Sequence, residues 1–169
     1  GHVVEIVGQA TNDFDNYYVK YESANNNDVG VWRETVKPAL DDNFDTSTLP
    51  HLLIRTADGN FRYTPADGST YTISGVTYTV PKFNGRVAGD ELSSPHPEFI
   101  GQKISDIFFF RNRLGFLSGD NVFMSRAGGF FDFHPETVTT VLDTDPIDVA
   151  VSHTKVATLR HAIPFDETL

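Results

Sequence analysis

Residues 106–133 read DIFFFRNRLGFLSGDNVFMSRAGGFFDF and contain eight phenylalanines, interrupted every few residues by Gly or Asn. Runs of bulky apolar residues separated by turn-forming residues are typical of short β-strands that share one core. The run IFFF at 107–110 is continuously apolar, which predicts a strand buried on both faces. Further short strands are expected at 114–117 and 122–126. One blade of a β-propeller or one sheet of a sandwich requires a set of short strands of this kind.

The phenylalanines of this stretch are most simply core residues. We expect Phe108, Phe109, Phe110 and Phe116 to be mainly buried. Phe109→Ala should then cost about 3–5 kcal/mol, as truncation of a large core side chain does. Gly119, between the second and third strands, should occupy a turn that needs permissive backbone angles, so Gly119→Val should lower stability.

The rest of the chain also has strand composition and shows no long helix. Residues 3–7, 17–23 and 29–36 predict a three-stranded meander, and the polar run at 25–28 should close its second hairpin. The dipeptide SG at 74–75 lies between Thr- and Tyr-rich segments, which strongly indicates a two-residue hairpin turn. The predicted fold class is therefore mainly β, built from short antiparallel strands with little helix.

Three further features complete this outline of the fold. An Asp58-Gly59 turn lies inside the strand-like segment that starts at His51. Two more strands are expected at 148–152 and 156–161. The loop at 84–98 is rich in Gly, Ser and Pro and is the best candidate for a domain boundary.

Composition narrows the possible functions. The 169 residues include no cysteine, which excludes disulfides and thiolate metal sites from this sequence. No apolar run approaches the roughly 20 residues that a membrane-spanning helix needs. The net charge of −10 argues against tight binding to DNA, because such affinity comes mostly from Lys and Arg. The opening Gly1-His2 and the abrupt ending FDETL indicate a piece of a longer polypeptide.

Three groups of acidic residues invite a chemical interpretation. They are Asp13 with Asp15, Asp41 with Asp42 and Asp45, and Asp143 with Asp145 and Asp148. A glycosidase needs two carboxylates roughly 5–10 Å apart across a cleft, and a calcium loop needs six or more oxygen ligands. The sequence DTDPID offers too few ligands and has Pro where a calcium loop requires Gly. Solvated turn carboxylates are the simpler interpretation, so no catalytic, cofactor-binding or metal-binding residue is assigned.

Other polar and aromatic side chains also have simple interpretations. Arg111, Arg113 and Arg126 could form a basic strip facing nucleic acid, but pairing with nearby acids such as Asp106 and Asp120, or with the surplus acids of another segment, is favoured. Trp32 and the tyrosines could stack on sugars, although their alternation within predicted strands favours packing. The histidines are scattered, which favours turn and surface positions over a metal site: His2, His51, His96, His134, His153 and His161. The short motifs of nucleotide, zinc-protease and serine-hydrolase sites do not occur.

Three segments carry a family resemblance. They are HLLIRTADGNF (51–61), PEFIGQKISDIFFFRNRLGFLSGDNVFMSRAGGFFDFHPET (97–137) and DTDPIDVAVSHTKVATLRHAIPFDETL (143–169). Together they resemble the tail tubular protein B family, the nozzle proteins of short-tailed bacteriophages, and residues 12–36 look like the corresponding family segment. The most specific part is FFFRNRLGFLSG followed by DPIDVAVS. Residues 62–90 resemble the family least, so nothing is carried over to them.

The resemblance implies a structural virion protein with no catalytic role and no cofactor. Family members are expected to form a homohexameric ring below the adaptor ring of tail tubular protein A. Tail fibres would dock outside this ring, and DNA would pass through its channel without specific binding during ejection. The implied location is the virion tail, after folding in the host cytoplasm.

The family architecture implied by the resemblance is mostly β with a propeller-like body. On this basis residues 1–58 would end an upstream β meander domain. Residues 59–98 would form a hairpin insertion and a Gly/Ser/Pro-rich linker, and residues 99–169 would supply the first strands of the propeller-like body.

Two other functions stay open at the level of sequence. A phage tail enzyme that cleaves cell-surface polysaccharide would use paired acids such as Asp13/Asp15 or Asp143/Asp145. A carbohydrate- or receptor-binding module would need Trp32 and tyrosines exposed together in a groove. Both are weaker than the structural interpretation, because no catalytic motif supports the first and the aromatic pattern favours packing over the second.

Overall fold

The computed structural model describes residues 1–9, 11–24, 29–152, 158–163 and 165. Within them the fold is mainly β, as predicted, and the helical elements are two single 3-10 turns, Asp13–Asp15 and Thr46–Thr48. The strands are β1 (Val3–Ile6), β2 (Tyr17–Ser23), β3 (Gly30–Thr35), β4 (Leu52–Arg55), β5 (Phe61–Thr64), β6 (Thr70–Ile73), β7 (Val76–Thr79), β8 (Ile104–Phe110), β9 (Arg113–Ser118), β10 (Asn121–Met124) and β11 (Ile147–Ala150).

The described strands pair in antiparallel fashion into small sheets. β1, β2 and β3 form the predicted meander, β4–β5 and β6–β7 form separate hairpins, and the last four strands form one sheet in the order β11-β10-β9-β8. The loop at 25–28, predicted to close the β2–β3 hairpin, lies outside the described residues. The paired strands on either side of it confirm the hairpin itself.

Two hairpins turn through two residues with positive φ. In the β6–β7 hairpin these are Ser74 and Gly75, with φ of 51° and 78°, and in the β8–β9 hairpin they are Arg111 and Asn112, with φ of 47° and 59°. Positive φ at both central positions matches the right-handed twist of the flanking strands, which is why Asn and Gly are common there. The first of these turns confirms the hairpin predicted at 74–75.

Gly119 lies in the β9–β10 turn with φ of +60°, as predicted. Among the described residues, no atom lies within 4 Å of where a Cβ would sit, so backbone strain alone opposes a side chain. We expect Gly119→Val to lower the free energy of unfolding by about 1–2 kcal/mol, because left-handed angles are costly for L-residues. Gly119→Asn should cost less, since Asn tolerates these angles. Urea denaturation tests both values, and a Val variant as stable as wild type would contradict the strain.

β9 is a central strand of the four-stranded sheet and is buried along its whole length. Its core face carries Leu114 and Phe116, which pack in one cluster with Phe123 of β10. On the opposite face, the ring of Phe108 lies over Gly115, its cross-strand partner. A Cβ at position 115 would overlap this ring, so the aromatic side chain of β8 covers the surface that the glycine leaves open.

The burial predicted for Phe116 of β9 and for the three phenylalanines of β8 is only partly correct. Phe116 is 1% exposed, but Phe109 is 61% exposed. The partly buried residues are Phe108 and Phe110. Phe109 pairs with Leu114 and so points to the core face, yet β8 is an edge strand and the aromatic core lies under β9 and β10. The prediction that 107–110 is buried on both faces is therefore wrong, because the core does not extend to the sheet edge.

Phe99 lies at the centre of an aromatic core. Its ring makes edge-to-face contacts with Phe116, Phe123 and Phe133 at centroid distances of 5.1, 5.3 and 5.0 Å. The buried cluster comprises Phe44, Leu49, Ala66, Phe83, Phe99, Leu114, Phe116, Phe123 and Phe133. This one cluster therefore takes side chains from each of the three segments into which the sequence was divided.

The stretch 84–98 is irregular, as expected of a loop, but much of it is buried. The buried residues are Arg86, Ala88, Gly89, Asp90, Ser94 and Pro97. Arg86 N donates to Asp42 O at 2.8 Å, and Gly89 N donates to Thr35 O at 3.2 Å. The loop thus connects the end of β3 to the core and is not an exposed linker.

The end of the described chain returns to the four-stranded sheet. The strand predicted at 148–152 is confirmed as β11, which pairs with β10. The strand predicted at 156–161 falls partly outside the described residues, and its described part, 158–161, has no strand structure. Leu159 N donates to Gly119 O at 2.8 Å, which places this segment beside the β9–β10 turn.

Candidate functional site

The acidic group at 41–45 consists of turn-capping side chains. Asp45 accepts hydrogen bonds from Ser47 Oγ at 2.7 Å and Ser47 N at 3.0 Å, and these bonds lower the pKa of Asp45. Asp41 accepts from Asn43 N at 3.2 Å, and Asp42 accepts from Asn43 Nδ2 at 2.7 Å. Such bonds hold short turns in shape, which agrees with the structural interpretation of these acids.

Asp13 and Asp15 lie in the first 3-10 turn, between β1 and β2, and both are exposed. Asn12 caps this turn by accepting a hydrogen bond from Phe14 N at 3.0 Å. Within the described part of the chain, neither carboxylate has an ion-pair partner. The turn therefore presents two free carboxylates around an exposed phenylalanine.

Arg113 holds the segment of the third acidic group, 143–148, by hydrogen bonds to backbone oxygens. This arginine is buried, and its Nη1 donates to Ser125 O at 2.7 Å and to Asp145 O at 2.6 Å. Its Nη2 donates to Asp143 O at 2.7 Å. The guanidinium thus fixes the loop before β11 against the end of β10, and the acids at 143 and 145 are held by their main chain.

Removal of the Arg113 guanidinium tests this role. We expect Arg113→Met to lower the free energy of unfolding by about 3 kcal/mol, because several buried carbonyls would lose a charged donor. Arg111→Met is the matched control, since Arg111 is exposed at the neighbouring turn, and it should cost less than about 0.5 kcal/mol. Urea denaturation measures both. Equal stability of the two variants would contradict a structural role for Arg113.

The three arginines do not form a basic strip. Arg113 is buried, Arg111 lies with its guanidinium 5.2 Å from the Phe110 ring centroid, and Arg126 Nη2 pairs with Glu136 Oε2 at 2.5 Å. The expected partners, Asp106 and Asp120, are not the ones used. Asp106 instead accepts hydrogen bonds from Ile107 N and Ala162 N, and these bonds lower its pKa.

Two of the histidines that we interpreted as scattered turn and surface residues lie together in the interior. His134 is 2% exposed, and its Nε2 lies 3.2 Å from His96 Nδ1. Its other ring nitrogen, Nδ1, lies 3.3 Å from Ser94 Oγ, and its ring stacks on Phe44 at a centroid distance of 5.2 Å. The contact joins residues from distant parts of the sequence. The one signal in the sequence is that both histidines precede proline in irregular segments.

This histidine pair is a neutral structural contact. Burial lowers the pKa of His134 to about 3, with smaller contributions from the neighbouring His96 and Arg86. Burial also lowers the pKa of His96. Neutral imidazoles can bind metals, but no group of three or more His, Asp or Glu side chains is placed to hold an ion in the part of the chain that the structure describes.

Asp148 and Glu98 form a pair that sequence spacing did not reveal. Asn121 Nδ2 donates to Glu98 Oε2 at 3.1 Å and lies 3.5 Å from Asp148 Oδ1. Burial and the nearby Glu98 raise the pKa of Asp148. The two acids are fifty residues apart in sequence: the pairing of β10 with β11 brings Asp148 beside Asn121, and Glu98 reaches the same place by accepting the hydrogen bond from Asn121.

Trp32 is less buried than the packing interpretation suggested. Its side chain packs edge-on against Tyr21 at a centroid distance of 5.3 Å but is 52% exposed. Tyr18, on the neighbouring strand, is buried.

The described helical turns include none that is long and apolar enough to cross a membrane.

The candidate residues thus occupy caps, buried contacts and exposed turns rather than one catalytic centre. The family model of the bacteriophage nozzle protein matches residues 1–169, the whole chain. The chain belongs to the bacteriophage nozzle protein family. It is also 42% identical over 169 residues to tail tubular protein gp12 of Escherichia phage T7. This nozzle chain spans 19% of the length of that relative.

Family membership confirms the resemblance seen in the sequence. The nozzle chain is part of a structural component of the phage tail. The polysaccharide-cleaving role considered for Asp13/Asp15 or Asp143/Asp145 therefore has no support.

Proposed function

We propose that the full-length protein forms a hexameric ring in the tail nozzle, through which DNA passes during ejection. The observation that carries this proposal is the family match along the whole chain, together with 42% identity to a tail tubular protein. The proposed partners are other copies of the chain, the adaptor ring of tail tubular protein A, and tail fibres docked outside. The absence of cysteine from the chain suits folding in the host cytoplasm before assembly.

Electrostatics support a conduit that does not hold DNA. Each phosphate neutralised by Lys or Arg adds affinity, so a basic wall would slow transit. The chain carries a net charge of −10, and six copies would add about −60 to the ring. The three arginines considered as a DNA-facing strip are instead engaged with carbonyls, an aromatic ring and Glu136. Acids that face the lumen would keep DNA near the axis.

The three-part organisation of the chain is also part of this proposal. Residues 1–58 would end an upstream β domain, residues 59–98 would form an insertion and connection, and residues 99–169 would begin a propeller-like body. The β8–β11 sheet supports the last assignment, because four antiparallel strands in sequence order have the connectivity of a propeller blade. The shared aromatic core would then join these parts into one unit.

Negative-stain electron microscopy of the full-length protein, with its mass measured by light scattering, tests the ring. The expected result is six-fold rings with an axial hole and the mass of six chains. Purified adaptor ring should be added in a second sample, in case assembly requires it. A protein that stays monomeric both alone and with the adaptor would contradict the proposal.

A further inference from the structure

The β4–β5 hairpin exposes an apolar face that no other described part of the chain covers. Leu53, Phe61 and Tyr63 are 65, 62 and 71% exposed. Leu53 and Tyr63 are direct cross-strand partners, and Arg55 is the partner of Phe61 on the same side. We call Leu53, Arg55, Phe61 and Tyr63 the hairpin face. Aromatic residues and arginine are the side chains that most often dominate binding at protein interfaces.

The hairpin is held in one shape before any partner binds. Its turn is closed by bonds from Thr56 N to Asn60 O at 2.9 Å and from Gly59 N to Thr56 O at 3.0 Å. Asp58 accepts from Thr56 Oγ1 at 2.5 Å and from Asn60 N at 3.2 Å. The Tyr63 ring stacks on His51 at a centroid distance of 5.0 Å. A preorganised surface loses little conformational entropy on binding, which favours its use as a contact.

The charge of the hairpin differs from that of the chain around it. Arg55 is the charged residue of the hairpin face, Arg62 lies on the opposite side of the hairpin with its guanidinium over the Tyr71 ring, and the single acid, Asp58, is used within the turn. The whole chain has a net charge of −10. A partner for this face should therefore present carboxylates next to an apolar group, which is what another copy of an acidic chain can offer.

The Asp13–Asp15 turn has this composition. Phe14 is 62% exposed and lies between two exposed carboxylates that have no ion-pair partner among the described residues. No hydrogen bond or ion pair joins this turn to the hairpin face within the described part of one chain. Both surfaces are thus uncovered within the described part of this chain.

We propose that the hairpin face docks on the Asp13–Asp15 turn of a second copy of this chain. Phe14 of one copy packs against the aromatic side chains of the hairpin face, while Asp13 and Asp15 lie opposite Arg55. The two surfaces differ, so the contact is heterologous and passes from copy to copy, which closes into a ring when the rotation allows. The inference rests on the proposed ring and names a contact between its neighbours.

Charge reversal in the full-length protein tests this contact. Arg55→Glu alone, and Asp13→Lys with Asp15→Lys, should each reduce the fraction of protein in rings at least ten-fold. All three substitutions in one chain should restore rings, because the opposite charges again face each other. Arg111→Glu is the matched control, since Arg111 is also an exposed arginine at a hairpin turn. It should leave the ring fraction unchanged.

The outcomes separate this inference from the proposed function. Rings that form in wild type and persist in Arg55→Glu, or that the triple variant fails to restore, overturn the contact and leave the ring intact. Loss of polysaccharide or receptor binding in Arg55→Glu with intact rings would assign the hairpin face to another partner and also overturn the contact. A wild type that forms no ring, with or without the adaptor, overturns both. Circular dichroism of each variant confirms that the singly altered proteins are folded.

Discussion

Phe99→Ala is expected to lower the free energy of unfolding by about 3–5 kcal/mol, as truncation of a well-packed aromatic does. Phe99 is 2% exposed and contacts three other core rings. The substitution would leave a cavity that those rings cannot fill without giving up their own edge-to-face contacts. Because the cluster combines side chains from all three segments of the chain, its loss should destabilise them together. Urea denaturation followed by circular dichroism measures the effect.

Phe109→Ala is the matched control for Phe99→Ala. The same side chain is removed, but Phe109 is 61% exposed at the edge strand. It contacts Phe130 edge-on at a centroid distance of 5.6 Å, so some apolar contact is lost. The expected cost is about 1 kcal/mol or less, since little area is removed from water, and this value replaces the roughly 3–5 kcal/mol expected from the sequence for a buried Phe109. A Phe109 variant as destabilised as the Phe99 variant would show that the core reaches the edge of the sheet.

Acid is expected to destabilise the fold through His134. Burial lowers the pKa of His134 to about 3 in the folded protein, below its ordinary value of 6.5. The unfolded chain then binds a proton that the folded chain does not, so stability falls as the pH drops below about 6.5 and continues to fall toward pH 3. At pH 4 the loss from this group should be about 3 kcal/mol, at 1.36 kcal/mol per pKa unit. The lowered pKa of His96 acts in the same direction.

His134→Gln separates this effect from the acid titration of carboxylates. Between pH 7 and pH 4, wild type should lose about 3 kcal/mol more stability than the variant, because the variant has no imidazole to protonate at this position. If His134→Gln and wild type lose the same stability, His134 does not carry the pH effect.

Local pattern was sufficient to predict many of the strands and turns, although the described part of the strand predicted at 156–161 has no strand structure. Alternation and turn chemistry predicted the first meander, the turn at Ser74-Gly75 and the strands on both sides of Gly119, because these features depend on neighbouring residues. The burial of the β8 side chains, by contrast, could not be predicted from local pattern. A run such as IFFF shows that a strand is apolar, but whether the core covers it depends on its place in the sheet. Edge position is a property of the tertiary fold and leaves no signal in so short a run.

The interior polar contacts were not predictable from the sequence. His96 meets His134, and Asp148 approaches Glu98, across separations of 38 and fifty residues. Arg113 is bound by carbonyls rather than by an acid, so the charges of neighbouring residues gave the wrong partner. In each case the contact is created by chain folding between distant segments. The family, by contrast, was evident from specific sequence segments, because a long match needs no knowledge of contacts.

A cryo-electron microscopy reconstruction of the phage tail would locate the β8–β11 sheet and its aromatic core relative to the channel. We expect six copies of this fold around the tail axis, with acidic side chains facing a continuous DNA channel. Copies attached only at the tail periphery, away from the channel, would contradict this expectation. So would a channel wall in which this chain presents clustered arginines to the DNA.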